Sequence, residues 1–207
     1  MTRPAFLRDR VTVAVVAALG IGAVALVSLS LGAPEVPTFV PTAPAPAEVG
    51  HTKVGPRVVT VDASSPVEWR FFDFSRGSLV DSPGPEDWDI AFRRFHMMVN
   101  GGHDFGGGGG AIDMGEIPFD SVSTVPEAGY LVAERGDSIN AALARWYDYS
   151  FTSHVLEPKP RVYAVRTADG HYAKMEIVGY YCVGAQPGCP TFRYVYQGES
   201  GTDVTAK

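Results

Sequence analysis

From Val11 to Leu31 the chain carries no charge, "VTVAVVAALGIGAVALVSLSL", and at about 1.5 Å per residue it is long enough to cross ~30 Å of hydrocarbon. Arg3, Arg8 and Arg10 precede it, so everything after Leu31 is expected outside the cytoplasm. An uncleaved transmembrane anchor over 11–31 is expected, behind a basic cytoplasmic segment 1–10; a signal peptide cleaved after "SLG", before Ala33, is the alternative. No cysteine lies near the end of this segment, which excludes a lipidated cysteine anchor. The next stretch, "APEVPTFVPTAPAPAEVG", repeats proline so often that neither helix nor sheet is expected, and 32–56 reads as an extended spacer.

Beyond it the pattern is that of strands, and a mainly β domain of antiparallel sheets is predicted over 57–198, ending in a solvated, flexible tail at 199–207. "RVVTVDA" and "VEWRFFDFS" are two strands, and "VDSPGPED" is a loop. "WDIAFRRFHMMV", Trp88 to Val99, is predicted as one long strand, with Trp88, Ile90, Phe92, Arg94, His96 and Met98 on one face. "NGGHDFGGGGG" orders at too great a cost in backbone freedom for a regular element and reads as a loop. One short helix is predicted at "INAALARW", capped by Asp137 or Ser138. "RVYAVRT" and "HYAKMEIVGYY" form a hairpin about Ala168-Asp169-Gly170, and "TFRYVYQ" closes the fold.

Composition narrows the function. Net charge is −6 with no basic stripe, which excludes nucleic acid as a partner. The glycine run lacks a following Lys-Ser/Thr pair and any G-x-G-x-x-G context, so nucleotide binding is excluded as well. Cys182 and Cys189 flank a turn at a spacing that fits no zinc knuckle, and outside the cytoplasm a disulfide is expected. An enzyme is not expected. There is no G-x-S-x-G, Ser153 and His154 are adjacent and point apart on extended backbone, and Asp87 and Asp89 read as strand entry. The remaining chemistry lies in His96, Met97, Met98, His103, His154, His171 and Met175, which suit iron or copper but also serve as ordinary packing. His96 and Met98 share a face, as do His171 and Met175. A copper site from His96, Met97, Met98 and His103 is one reading of that set.

In order along the chain, "VEWRFFDFSRGSLV", "WDIAFRRFHMMVNGG" with its glycines and "GAI", "STVPEAGY", "RVYAVRTADGHYAKMEIVGYY" and "TFRYVYQ" resemble the HmuY family of exported haem-binding proteins over most of Arg57 to Gln197. The resemblance implies an open, hand-like antiparallel β fold that holds haem in a cleft between two axial side chains, for capture or storage. One axial position would follow the tryptophan matching Trp146, where His154 is the first candidate and Phe151 competes for the place. The other would sit on a hairpin after "GY", but "LVAERGDSINAALAR" contains no His or Met and is too short for it. His96, Met98 or His103 are the alternatives for that second position. Phe95, Phe105, Tyr149 and Phe151 could line the cleft, and Arg93, Arg94 and Arg166 could meet the propionates or pair with Asp and Glu across strands. The rival reading is a surface structural or interaction domain without ligand, meeting a protein partner of the cell envelope.

Overall fold

The computed structural model describes residues 5–31, 35–45, 50, 52–136 and 138–206. Asp137, one of the two cap candidates, and parts of the Pro-rich spacer lie outside them. Two units divide the chain, Met1–Glu35 with Tyr149–Val155, and Val36–Asp148 with Leu156–Lys207, and each is described by itself.

The first unit contains α1, Ala5–Leu31. Its side chains are exposed from Asp9 to Ser28, and this stretch is long and apolar enough to cross a membrane. Apolar residues surround the helix on every side and not on one face alone. Signal sequences share this property.

The second unit holds the strands β1 (Thr38–Phe39), β2 (Val54–Thr60), β3 (Arg70–Asp73), β4 (Ser78–Val80), β5 (Ile90–Arg93), β6 (His96–Val99), β7 (Gly110–Asp113), β10 (Val162–Arg166), β11 (Tyr172–Cys182) and β12 (Gln186–Gln197), while β8 (Tyr147–Tyr149) and β9 (Leu156–Pro158) form a separate ribbon. The larger sheet runs β2-β12-β11-β10-β7, and the smaller β4-β3-β5-β6. All these pairings are antiparallel except β1 with β11. The architecture is the mainly β, antiparallel one expected.

Period-two alternation divides the large sheet into two buried faces. Register pairs Ile177 with Phe192, Met175 with Tyr194 and Ala173 with Tyr196, which puts these six side chains on one face. There Phe192 stacks on Phe92 of β5 at 5.3 Å and meets Phe72 of β3 edge-on at 5.2 Å, so aromatic rings form the layer between the sheets. The other face carries Val162, Ala164 and Val195 under Phe119, Val122 and Val125. Lys174 is also on that face, fully buried, and its Nζ donates to the Phe119 and Val122 carbonyls at 2.9 and 2.7 Å. A buried ammonium needs such acceptors, and the ring of Phe119 at 4.4 Å adds a cation–π contact.

Four sequence expectations are corrected. Trp88–Val99 is not one strand but the β5–β6 hairpin, with Arg93 opposite His96 and Arg94-Phe95 as its turn. Arg94 adopts φ 55°, and no Asn-Gly or Asp-Gly announces the turn because distant groups hold it. Arg94 N donates to Ala63 O, its guanidinium to Ser64 O and Pro187 O, and Trp146 Nε1 to Phe95 O. "INAALARW" is a turn, not an α-helix. Its buried Asn140 accepts from Ala142 N and donates to Leu131 O, bonds that compete with helical ones in a segment too short to nucleate. Phe119–Ser121 is a short 3-10 turn, and Val183–Ala185 is a tight turn in which Gly184 and Ala185 take φ 76° and 58°. The Pro-rich stretch is not free of sheet. Thr38–Phe39 pairs with Tyr181–Cys182, the Phe39 ring lies where a side chain on Gly179 would stand, and Thr42 exchanges hydrogen bonds with Thr60. The tail is likewise packed, since Val204 is fully buried and bonds Ser123 O through its N–H.

The glycine run is a place of close approach. A Cβ on Gly101 would collide with the carbonyl of Gly109, and one on Gly107 would lie 2.6 Å from the Ala168 methyl. Buried Asn100 pins the run: its Nδ2 donates to Pro85 O and Trp88 O, its Oδ1 accepts from Gly107 N, and its carbonyl accepts from Gly109 N. Cys182 and Cys189 are joined by a disulfide, as expected, so the competing metal-pair reading does not apply.

Candidate ligand site

His154 stands at the tip of the β8–β9 ribbon. The ribbon's base is anchored by Trp146, which is fully buried and packs on Tyr180 at 5.5 Å, and by Leu156 N donating to Tyr181 Oη at 2.8 Å. The tip closes on itself through Ser150 N to Val155 O and His154 N to Ser150 O, at 2.9 and 2.8 Å. His154 takes φ 56°, a conformation uncommon outside glycine, and its side chain is exposed. Tyr149 Oη lies 2.5 Å from His154 Nδ1. With Nδ1 engaged, Nε2 is the ring nitrogen left for a metal, the arrangement in which an outer partner fixes the ring of a ligating histidine. Around it Phe151 is 85 % exposed and meets the 41 % exposed Tyr149 edge-on at 5.2 Å. Ser153 Oγ donates to Ser150 Oγ at 2.7 Å, so this neighbour of His154 is tied within its own loop.

The other candidates belong to the second unit. The β5–β6 hairpin keeps His96 and Met98 on one face of β6. His96 is half-buried against Phe95, ring centroids 4.3 Å apart. Burial first, and then the Arg93 charge, lower its pKa, which favours the neutral imidazole that ligates metals. Met98 is 4 % exposed and packed among Trp88, Ala91, Trp69, Phe71 and Phe105, a contact set that suits a thioether as core filler. Met97 faces away from both, opposite Phe92, so the copper set His96, Met97, Met98 and His103 is not assembled on one face of this strand. His103, in the glycine loop, has Nδ1 3.0 Å from Asp104 Oδ1 and Nε2 against the Arg135 guanidinium. His171 Nδ1 lies 2.9 Å from Asp169 Oδ2, and Met175 is fully buried on the aromatic face.

The arginines have protein partners. Arg93 lies over Trp69 at 4.5 Å, Arg94 holds the hairpin turn, and Arg166 Nε donates to Gly108 O at 2.7 Å. Phe95 contacts Tyr147 and Phe105 contacts Trp88. Sequence reasoning missed the Tyr149–His154 pair. Its signal was the spacing "YSFTSH", in which two polar rings flank a loop just long enough to let the chain turn back.

The family model described as HmuY protein matches residues 65–194. The apo HmuY analog of Tannerella forsythia is similar in structure at TM-score 0.55 and 18 % identity, covering 70 % of this chain and 96 % of its own. An HmuY-like protein of Bacteroides vulgatus described as heme-binding gives 0.51 and 22 %, over 71 % and 97 %. Apo PinO from Porphyromonas gingivitis gives 0.55 and 13 %, over 68 % and 96 %. At these identities the likeness speaks for the fold. No curated protein matches the chain in sequence.

Proposed function

The chain belongs to the HmuY family, and from that premise we propose that it is an exported, non-catalytic haem-binding protein that captures or stores haem. The observation that carries this reading is the ribbon tip, where an exposed His154 has Nδ1 engaged by Tyr149 beside an exposed Phe151. His154 Nε2 is the first axial donor, and Tyr149 and Phe151 supply apolar surface against a porphyrin face. Bound haem would supply the iron that this imidazole ligates. Within the second unit, His96 is the candidate donor with the most available ring, because Met98 is enclosed by rings and His103 is held between Asp104 and Arg135. We read α1 as an uncleaved anchor that keeps the domain attached to the membrane on its outer side. N-terminal sequencing that found the mature chain starting at Ala33 would replace this with secretion.

Haemin added to the full chain in detergent should give a saturable, sharpened Soret band. A spectrum identical to free haemin would remove the proposal. The ligand-free interaction domain gains from one observation: the described residues 131–136 and 138–145 form isolated bridges and turns rather than a ligand-bearing hairpin. That reading predicts no response to haemin and recovery of an envelope protein on pull-down.

A further inference from the structure

At the end of β3 a polar cavity of about 190 Å³ opens between three loops, far in chemistry from the aromatic ribbon tip. Asp73 ends β3, Glu86, Asp87 and Asp89 come from the loop before β5, and Asp169 from the β10–β11 turn, all lining the cavity with Ser75, Arg76 and Tyr196. Asp73 and Asp89 are buried at 7 % and 4 % exposure, whereas the side chains of Asp87 and Asp169 are 55 % and 39 % exposed at the rim.

Arg76 neutralises only part of this charge. Its Nε is 3.4 Å from Asp73 Oδ2 and its Nη2 3.8 Å from Asp87 Oδ1, both beyond the range of a strong charge-assisted hydrogen bond. His171 meets Asp169 on the flank. The independent observation is Tyr196. It is fully buried, lines the cavity, and its hydroxyl has no hydrogen-bond partner among the described residues. A buried phenol left unpaired is costly, and unlike Tyr163 and Tyr194, which are also unpaired, Tyr196 lines a polar cavity where water or an ion can reach it.

From this geometry we infer a site for a hydrated divalent cation of the Ca²⁺ or Mg²⁺ class, held by Asp73, Asp87, Asp169 and the Tyr196 hydroxyl. Apart from Arg76, the polar groups that line it are hard oxygens, which suit such ions rather than soft metals. A cavity of this volume has room for an ion together with water around it. Among the described residues, only Asp62 with the two disulfide cysteines brings three ligand atoms within 4.8 Å of one another. The cavity's carboxylates therefore reach an ion mainly through its water. Water-mediated holding places affinity on the order of 10⁻⁴ to 10⁻³ M.

The test is calorimetric titration of the full chain in detergent with CaCl₂ and with MgCl₂, at ionic strength matched by NaCl. Saturable heat with either salt is expected, weakened about tenfold in Tyr196→Phe and in Asp87→Asn. Asp87→Asn alters an exposed rim residue and leaves the buried core untouched, so it tests the site even if the tyrosine variant unfolds. In EDTA, Tyr196→Phe should melt no lower than the parent, because it deletes an unpaired group. Heat no greater than the NaCl control, or binding unchanged in Asp87→Asn, would overturn the inference.

Discussion

The β5–β6 hairpin and the β8–β9 ribbon each carry a candidate histidine, yet they are held by opposite means. The hairpin's turn is fixed by groups far away in sequence: Ala63, Ser64, Pro187 and Trp146 all bond Arg94 or Phe95. Next to it, Asp89 and Asn100 bind loops on both sides. The ribbon's tip, among the described residues, closes through bonds within 149–155. Long-range buried bonds make a region costly to alter. A self-contained exposed loop is free to change its side chains without loss of the fold.

If that contrast is right, the largest effects come from the hairpin's buried hubs. Asp89 accepts Phe74 N and Ala168 N at 2.8 Å each, and burial, with the Asp73 charge second, pushes its carboxyl pKa up to about 8. The folded state thus holds a proton that the unfolded chain releases near pH 4, so the stabilisation is complete below that value and is lost as pH rises towards 8. Stability to urea in EDTA should fall as pH rises across this window, and Asp89→Asn should flatten the slope. A parent slope of zero would refute the assignment. Next in size is Asn100→Ala, which strands Pro85 O, Trp88 O and Gly107 N. A loss of about 3 kcal/mol is expected, and a shift below about 1 kcal/mol in denaturant titration would show that Asn100 does not pin the glycine run.

These hubs also explain what the sequence could and could not disclose. The β10–β11 hairpin was readable because its signals are local, namely alternation in "RVYAVRT" and an Asp-Gly turn. The disulfide followed from its spacing and from the expectation of export. The turn at Arg94-Phe95 was not readable, because its left-handed residue is an arginine whose partners come from as far as Pro187. Asn140 presented the apolar pattern of a helix around it while its own side chain competed for the backbone. Proline suggested a free spacer where Phe39 fills the space above Gly179. At the site, the resemblance put His154 first by its place after Trp146, whereas the burial of Met98 depends on rings from Trp69, Phe71 and Phe105 that spacing along the strand does not show.

At the ribbon the order of effects reverses, with spectra changing and stability holding. His154→Ala should abolish the axial contribution to the haemin Soret band while moving stability by no more than about 0.5 kcal/mol, as for an exposed residue. An unchanged spectrum would remove His154 as a ligand.

The smallest effect, and the sharpest test of the contrast, is Tyr149→Phe. The ring remains, so its edge contact with Phe151 and the apolar surface survive, and only the 2.5 Å bond to His154 Nδ1 is lost. An imidazole without that partner rotates more freely and presents a less well-defined Nε2 to iron. Haemin affinity should fall about tenfold, the lower end of the range for loss of a partner behind a ligating histidine, with a shifted iron–histidine vibration and unaltered melting. If Tyr149→Phe instead lowers the melting temperature as much as Asn100→Ala does, the tip is bound into the fold as firmly as the hairpin. The division between a rigid, proton-holding scaffold and an adaptable ligand-bearing loop would then fail.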